Sequence, residues 1–124
     1  MAIVLGPKEA WEKMDLRTKV EITLRRLQVP GTLHGLRYLT VAIEIVTEQP
    51  QLINDLTKVL YPMVAEECGS RADRVERSMR TAIGRCWERG DHEARNEIAG
   101  YHLIERPTSG EFIDFVASYI RTGL

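Results

Sequence analysis

The stretch from Ser70 to Trp87 confines the chain to a helical fold. Wound at about 100° per residue, Val75, Met79, Ala82, Ile83, Cys86 and Trp87 fall on one stripe. Arg77 stands nearly opposite, flanked by Asp73, Arg74, Arg80 and Thr81, with Glu76 at the border between the two faces. A helix of this kind has to lay its stripe on a hydrophobic core. Its other face offers guanidinium, carboxylate and hydroxyl groups. That pattern describes a helix that reads DNA, and it equally describes many ordinary surface helices.

The rest of the chain keeps the same period, and no segment alternates at period two. A first helix is expected from Asp15 to Leu27, with Leu16, Val20, Leu24 and Leu27 inward. Residues 1–14 form a lead-in, within which Pro7-Lys8-Glu9 can open a short helix. Val29-Pro30-Gly31-Thr32 breaks the chain. A second helix follows from Leu33 to Glu48, carrying Leu36, Leu39, Ile43 and Val46 inward and ending at Gln49-Pro50. The stretch Leu52–Cys68 contains Tyr61-Pro62, so it is either kinked or split, with Pro62 in the first turn of the second part. Gly69 ends it through positive φ, and Ser70 is expected to cap the helix to Arg89. Gly90 ends that helix. Asp91 caps a short helix to Ala99, and a connector runs from Gly100 to Pro107. Thr108-x-x-Glu111 is a capping box ahead of Phe112, Ile113, Phe115, Val116 and Ile120. The expectation is an all-α, compact bundle of about six helices in one domain, residues 15–124, containing a helix-turn-helix.

Size and composition agree. A chain of 124 residues, 44% apolar and 28% charged, can bury a core without staples. No apolar run approaches the roughly 20 residues that span a bilayer. The opening Met-Ala-Ile-Val-Leu is too short for a signal-peptide core. Cys68 and Cys86 give neither a disulfide framework nor metal spacing, which fits a reducing, cytoplasmic setting.

A net charge of −1 argues against an indiscriminate nucleic-acid coater, but the distribution is uneven. From Ser70 to Gly90, six arginines face Asp73, Glu76 and Glu88, a surplus of three positive charges. Every cation there is Arg, whose planar fork suits phosphates and guanine edges. On charge pattern alone a solvated face is the better reading, with pairs at helical spacing such as Asp73 with Arg77. Position adds to it. Two helices joined by a Gly turn, Pro62–Cys68 and Ala72–Arg89, outline a helix-turn-helix whose second member is loaded with Arg.

Together these residues resemble the C-terminal DNA-binding effector domain of the stage-zero sporulation response regulator. The resemblance rests on Thr57-Lys58-Val59-Leu60-Tyr61-Pro62, on Arg74-Val75-Glu76-Arg77 with Arg80, and on Trp87-x-Arg89-Gly90. Val29-Pro30, Gly35 with Tyr38-Leu39, Gly100-Tyr101 and Pro107-Thr108-x-x-Glu111-Phe112-Ile113 extend it over all but the first turn or two. It implies a six-helix domain whose fourth helix reads a short box in double-stranded DNA, often as tandem copies on neighbouring boxes. Carried over by position, Glu76, Arg77 and Arg80 are the expected base readers. Ser70, Arg71, Arg74 and Thr81 are expected near phosphate. His34 stands where the family usually has Lys, so a backbone contact there is lost or becomes pH-dependent. The resemblance also implies contact with the sigma subunit of RNA polymerase through Asp91 to Tyr101, a stretch more charged here than is usual in the family. With no phospho-acceptor receiver preceding the effector in this sequence, the expectation is either an excised effector domain or a natural stand-alone protein, and Met1–Met14, with Trp11 and no recognisable tag, slightly favours a natural start.

Other chemistries find little support. His34, His92 and His102 lack paired ligand spacing, so no metal and no cofactor is expected. Cys68 near a helix C-terminus and Cys86 on the core stripe are expected to be inert. No phosphate-binding Gly loop and no nucleophile setting is present, so an enzyme is not expected. Glu66-Glu67 decorate a helix end, and Trp87 and Tyr101 are expected to pack inward. The leading reading is sequence-specific DNA binding for transcription regulation, with helix 72–89 in the major groove. The alternative is a protein-interaction module, partner or decoy of a full-length regulator or of polymerase, which the acidic residues from Asp91 to Glu97 favour.

Overall fold

The computed structural model describes residues 6–31 and 34–122. Seven α-helices are present among the described residues: α1 (Pro7–Lys13), α2 (Leu16–Arg26), α3 (His34–Glu48), α4 (Tyr61–Cys68), α5 (Ala72–Arg89), α6 (His92–Ala99) and α7 (Ser109–Thr122). Most of the core expected from periodicity is buried, while Leu16, Leu36 and Trp87, also expected inward, are only partly so. Val20, Leu24, Leu39, Ile43, Val46, Val75, Met79, Ile83, Ile113 and Val116 are all shut off from solvent. The central helix α3 packs against α2, α4, α5 and α7. Burying Thr40 on it is tolerable because the hydroxyl donates to the Leu36 carbonyl, as Thr23 does to Lys19 on α2.

Several boundaries follow their chemistry. Asp15 caps α2 by accepting from the Thr18 N–H at 2.8 Å. Asp91 caps α6 by accepting from Glu93 N–H at 2.9 Å. The box at α7 is reciprocal: the Glu111 carboxylate accepts from Thr108 N–H at 2.9 Å, and Glu111 N–H donates to the Thr108 hydroxyl at 3.1 Å. Leu33, expected to open the second helix, lies outside the described residues, as does Thr32 of the preceding break.

The stretch around Pro62 is more broken than a kink or a simple split. A 3-10 turn, Pro50–Asn54, leads into a π-helical turn, Leu56–Leu60, before α4 begins with Pro62 in its first turn. The Leu60 N–H reaches back five residues to the Asp55 carbonyl at 3.0 Å. Widening the turn just before the proline ring relieves the clash that a regular helix would impose. The lead-in also joins the fold. Trp11 on α1 is buried, its ring edge-on to Tyr119 of α7 with centroids 6.2 Å apart.

Candidate nucleic-acid interface

The turn before α5 is set by Gly69, at φ 63 and ψ 41, a left-handed conformation that costs a side-chain-bearing residue dearly. The Ser70 N–H then folds back to the Ala65 carbonyl at 2.8 Å and closes α4. Ser70 does not cap α5. The N-cap position belongs to Arg71, whose extended backbone leaves the first turn of α5 without a side-chain cap, while Asp73 supplies negative charge there. The Ser70 hydroxyl is engaged elsewhere, accepting from Tyr38 at 3.1 Å. The Tyr38 ring in turn stacks on His34, with centroids 6.4 Å apart and planes inclined by 22°. Two of the expected backbone contacts, Ser70 and His34, are therefore joined through one buried tyrosine, Tyr38, which the sequence marked only as part of the resemblance and gave no role.

Helix α3 approaches α5 very closely at this point. A Cβ on Gly35 would stand 2.4 Å from the Ser78 carbonyl oxygen and 2.7 Å from the Ala82 Cβ. This contact presses the buried stripe of α5 into the core and leaves the opposite side free. Arg74, Arg77, Arg80 and Thr81 are all exposed, and Glu76 is half-buried. The Arg80 guanidinium donates to Glu76 at 3.1 Å, an i,i+4 pair whose side chains keep 60% and 45% of their exposure. Asp73 pairs with Arg71 at 3.4 Å and not with Arg77 as its spacing suggested. Arg74 and Arg77 have no ion-pair partner among the described residues. Surface pairs of this kind contribute about 0.2–1 kcal/mol, so DNA groups can displace them readily.

Glu76 and Arg80 also border a groove whose other wall is Thr57, Tyr61, Arg106 and Ser109. Burial, and then the negative charge of Glu76, pushes the Tyr61 hydroxyl above its ordinary value, so it stays protonated. Arg106 comes from the connector and donates to the Arg80 carbonyl at 2.5 Å. Nothing in its local sequence marks it, because only the folding-back of the connector brings it to α5.

Beyond the carboxyl half of α5, two expectations change. Tyr101 is not core but half exposed, at 54%, beside the still more exposed Ile104. Trp87 is only partly buried and carries the Arg95 guanidinium 3.9 Å above its ring. Arg95, one of the charged residues expected to make the α6 region hydrophilic, is itself buried. It donates to the Trp87 carbonyl at 2.8 Å and lies 2.7 Å from His92 Nδ1, while its Nε has no partner among the described residues. The two thiols are unreactive in character: burial holds Cys68 above its ordinary value and pushes Cys86 up to about 11.

A surface of free guanidiniums beside a carboxylate and hydroxyls suits phosphate and base edges. Comparison with known families agrees. The family model described as Sporulation initiation factor Spo0A C terminal matches residues 20–120, nearly the whole chain. No helix among the described residues is long and apolar enough to cross a membrane. The chain belongs to this Spo0A C-terminal family, a DNA-binding domain of transcription regulation in sporulation and not a family of enzymes.

Proposed function

We propose that the chain recognises a specific sequence of double-stranded DNA by placing α5 in the major groove. The observation that carries this reading is that Arg77 and Arg80 on the solvent face of α5, with Glu76 at its border, lie within about one turn of each other, away from the buried Val75, Met79, Ala82, Ile83 and Cys86. Arg77 and Arg80 are suited to guanine O6 and N7, and Glu76 to a cytosine amino group. Arg71, Arg74, Ser70, Thr81 and His34 surround them and would hold the phosphates that set register. The Glu76–Arg80 pair gives these two residues a shared orientation before DNA arrives.

Selection from a random duplex pool tests the proposal. The unmodified chain should enrich one short box, whereas Arg77→Ala should lose preference at one position, a change of about 1–3 kcal/mol in discrimination. Glu76→Ala should relax a neighbouring position. Failure of the unmodified chain to enrich any motif would refute sequence-specific reading.

A contact with another protein is a compatible second role, favoured by the exposed Tyr101 and Ile104 next to α6. This is the side on which the sigma subunit of RNA polymerase would sit, leaving α5 free for DNA. Self-association on tandem boxes would be read from the same selection, as enrichment of two boxes at fixed spacing.

A further inference from the structure

The polar row of α5 is interrupted one turn beyond Arg80, at Gly84, where no side chain projects. The guanidinium of Arg106 occupies that place. A Cβ on Gly84 would stand 2.8 Å from Arg106 Nη1 and 3.1 Å from its Cζ. One Arg106 donor is used on the Arg80 carbonyl, and no carboxylate pairs with this side chain among the described residues. The residue remains exposed although Pro107 behind it is buried, so the connector is anchored while the charge faces outward.

We propose that Arg106 is a DNA-backbone contact that lengthens the binding surface of α5 by one turn, and that the missing side chain at Gly84 seats it. The proposal rests on the DNA-reading role of α5 given above. Base edges are addressed from the N-terminal half of a recognition helix, so a group one turn beyond the last base reader meets the sugar-phosphate wall of the groove. A planar fork already held by a peptide carbonyl loses less freedom on meeting phosphate than a free Lys or Arg would. Arg106 is thus a fixed cation supplied from outside the helix-turn-helix.

Fluorescence anisotropy with two duplexes tests this, one bearing the box selected by the unmodified chain and one of unrelated sequence. Arg106→Ala should weaken both by a similar factor, about tenfold or less, and make the salt slope shallower by about one. Arg106→Lys should keep the slope by restoring the charge. Gly84→Ala should reproduce the loss without lowering the melting temperature, because Ala is the better helix former. Unchanged affinity and slope for Arg106→Ala would overturn the proposal, and so would a change in the selected base at any position, which would make Arg106 a base reader. Gly84→Ala binding like the unmodified chain would overturn the seating role. If the unmodified chain binds neither duplex, the reading of α5 falls as well, which separates that failure from the failure of Arg106 alone.

Discussion

Gly35 and Gly84 show how differently two glycines can be used. A methyl group on Gly35 would meet the Ser78 backbone and the Ala82 Cβ, neither of which can move without shifting a whole helix. A methyl group on Gly84 would meet only the end of the Arg106 side chain, which can swing aside. Gly35→Ala should therefore destabilise the chain by about 1–3 kcal/mol, as overpacked cores do, and lower its thermal midpoint. Gly84→Ala should leave that midpoint unchanged or raise it. Equal losses for the two would show that Arg106 is held as rigidly as backbone. Residues of this kind were only half legible in the sequence. Helical spacing made Arg77 and Arg80 readable as solvent-facing and Glu76 as a border residue, whereas their expected role came from the family resemblance. The Tyr38–Ser70 hydrogen bond and the Arg106 contact join positions 32 and 26 residues apart, and no local pattern encodes such pairs.

At the level of the helices, termini were the most predictable feature, since capping chemistry is local. Asp91 and the Thr108–Glu111 box act where their spacing placed them, and Asp15, expected only as the start of its helix, caps it. The exception is α5, for which Ser70 was the obvious candidate. Tyr38 takes its hydroxyl, and the helix starts two residues later. The π-helical turn before Pro62 was likewise invisible, because proline announces a disturbance without saying how the turn before it adapts. Capping has a consequence that can be measured. The Thr108 N–H holds the Glu111 carboxyl below its ordinary value of 4.5. A lowered folded value means that this contribution is complete above about pH 4.5 and disappears as pH falls through the folded value. Glu111→Ala, which removes the carboxylate that accepts from Thr108 N–H, should cost about 0.3–1 kcal/mol at neutral pH and less in acid, followed as urea midpoints across that range. A penalty independent of pH would mean that the charge of this carboxylate contributes little.

For the whole molecule, the uneven distribution of charge matters more than its sum. The overall charge is −1, yet α5 carries more arginines than carboxylates, with Asp73, Glu76 and Glu88 among them, while most acidic residues lie elsewhere in the chain. Binding to DNA should respond to the patch and ignore the total. Three phosphate contacts would give a log–log salt slope of about −2.7, and their loss a shallower one. A slope near zero would assign the surface to another kind of partner. Fold class and the location of the core were legible at this scale, because a period of 3.6 residues recurs along nearly the entire chain. The burial of Arg95 was not, since nothing in a run of charged residues says which one turns inward.

That inward turn has a practical consequence. The chain has two tryptophans, one buried against Tyr119 and the other lying under the Arg95 guanidinium. The second indole therefore sits at the joint between α5 and α6, roofed by an ion. If α6 lifts from that joint, water replaces the ion and the emission spectrum moves to the red. The protein thus contains its own optical gauge of whether engagement of DNA at one end is felt at the other, with no label attached.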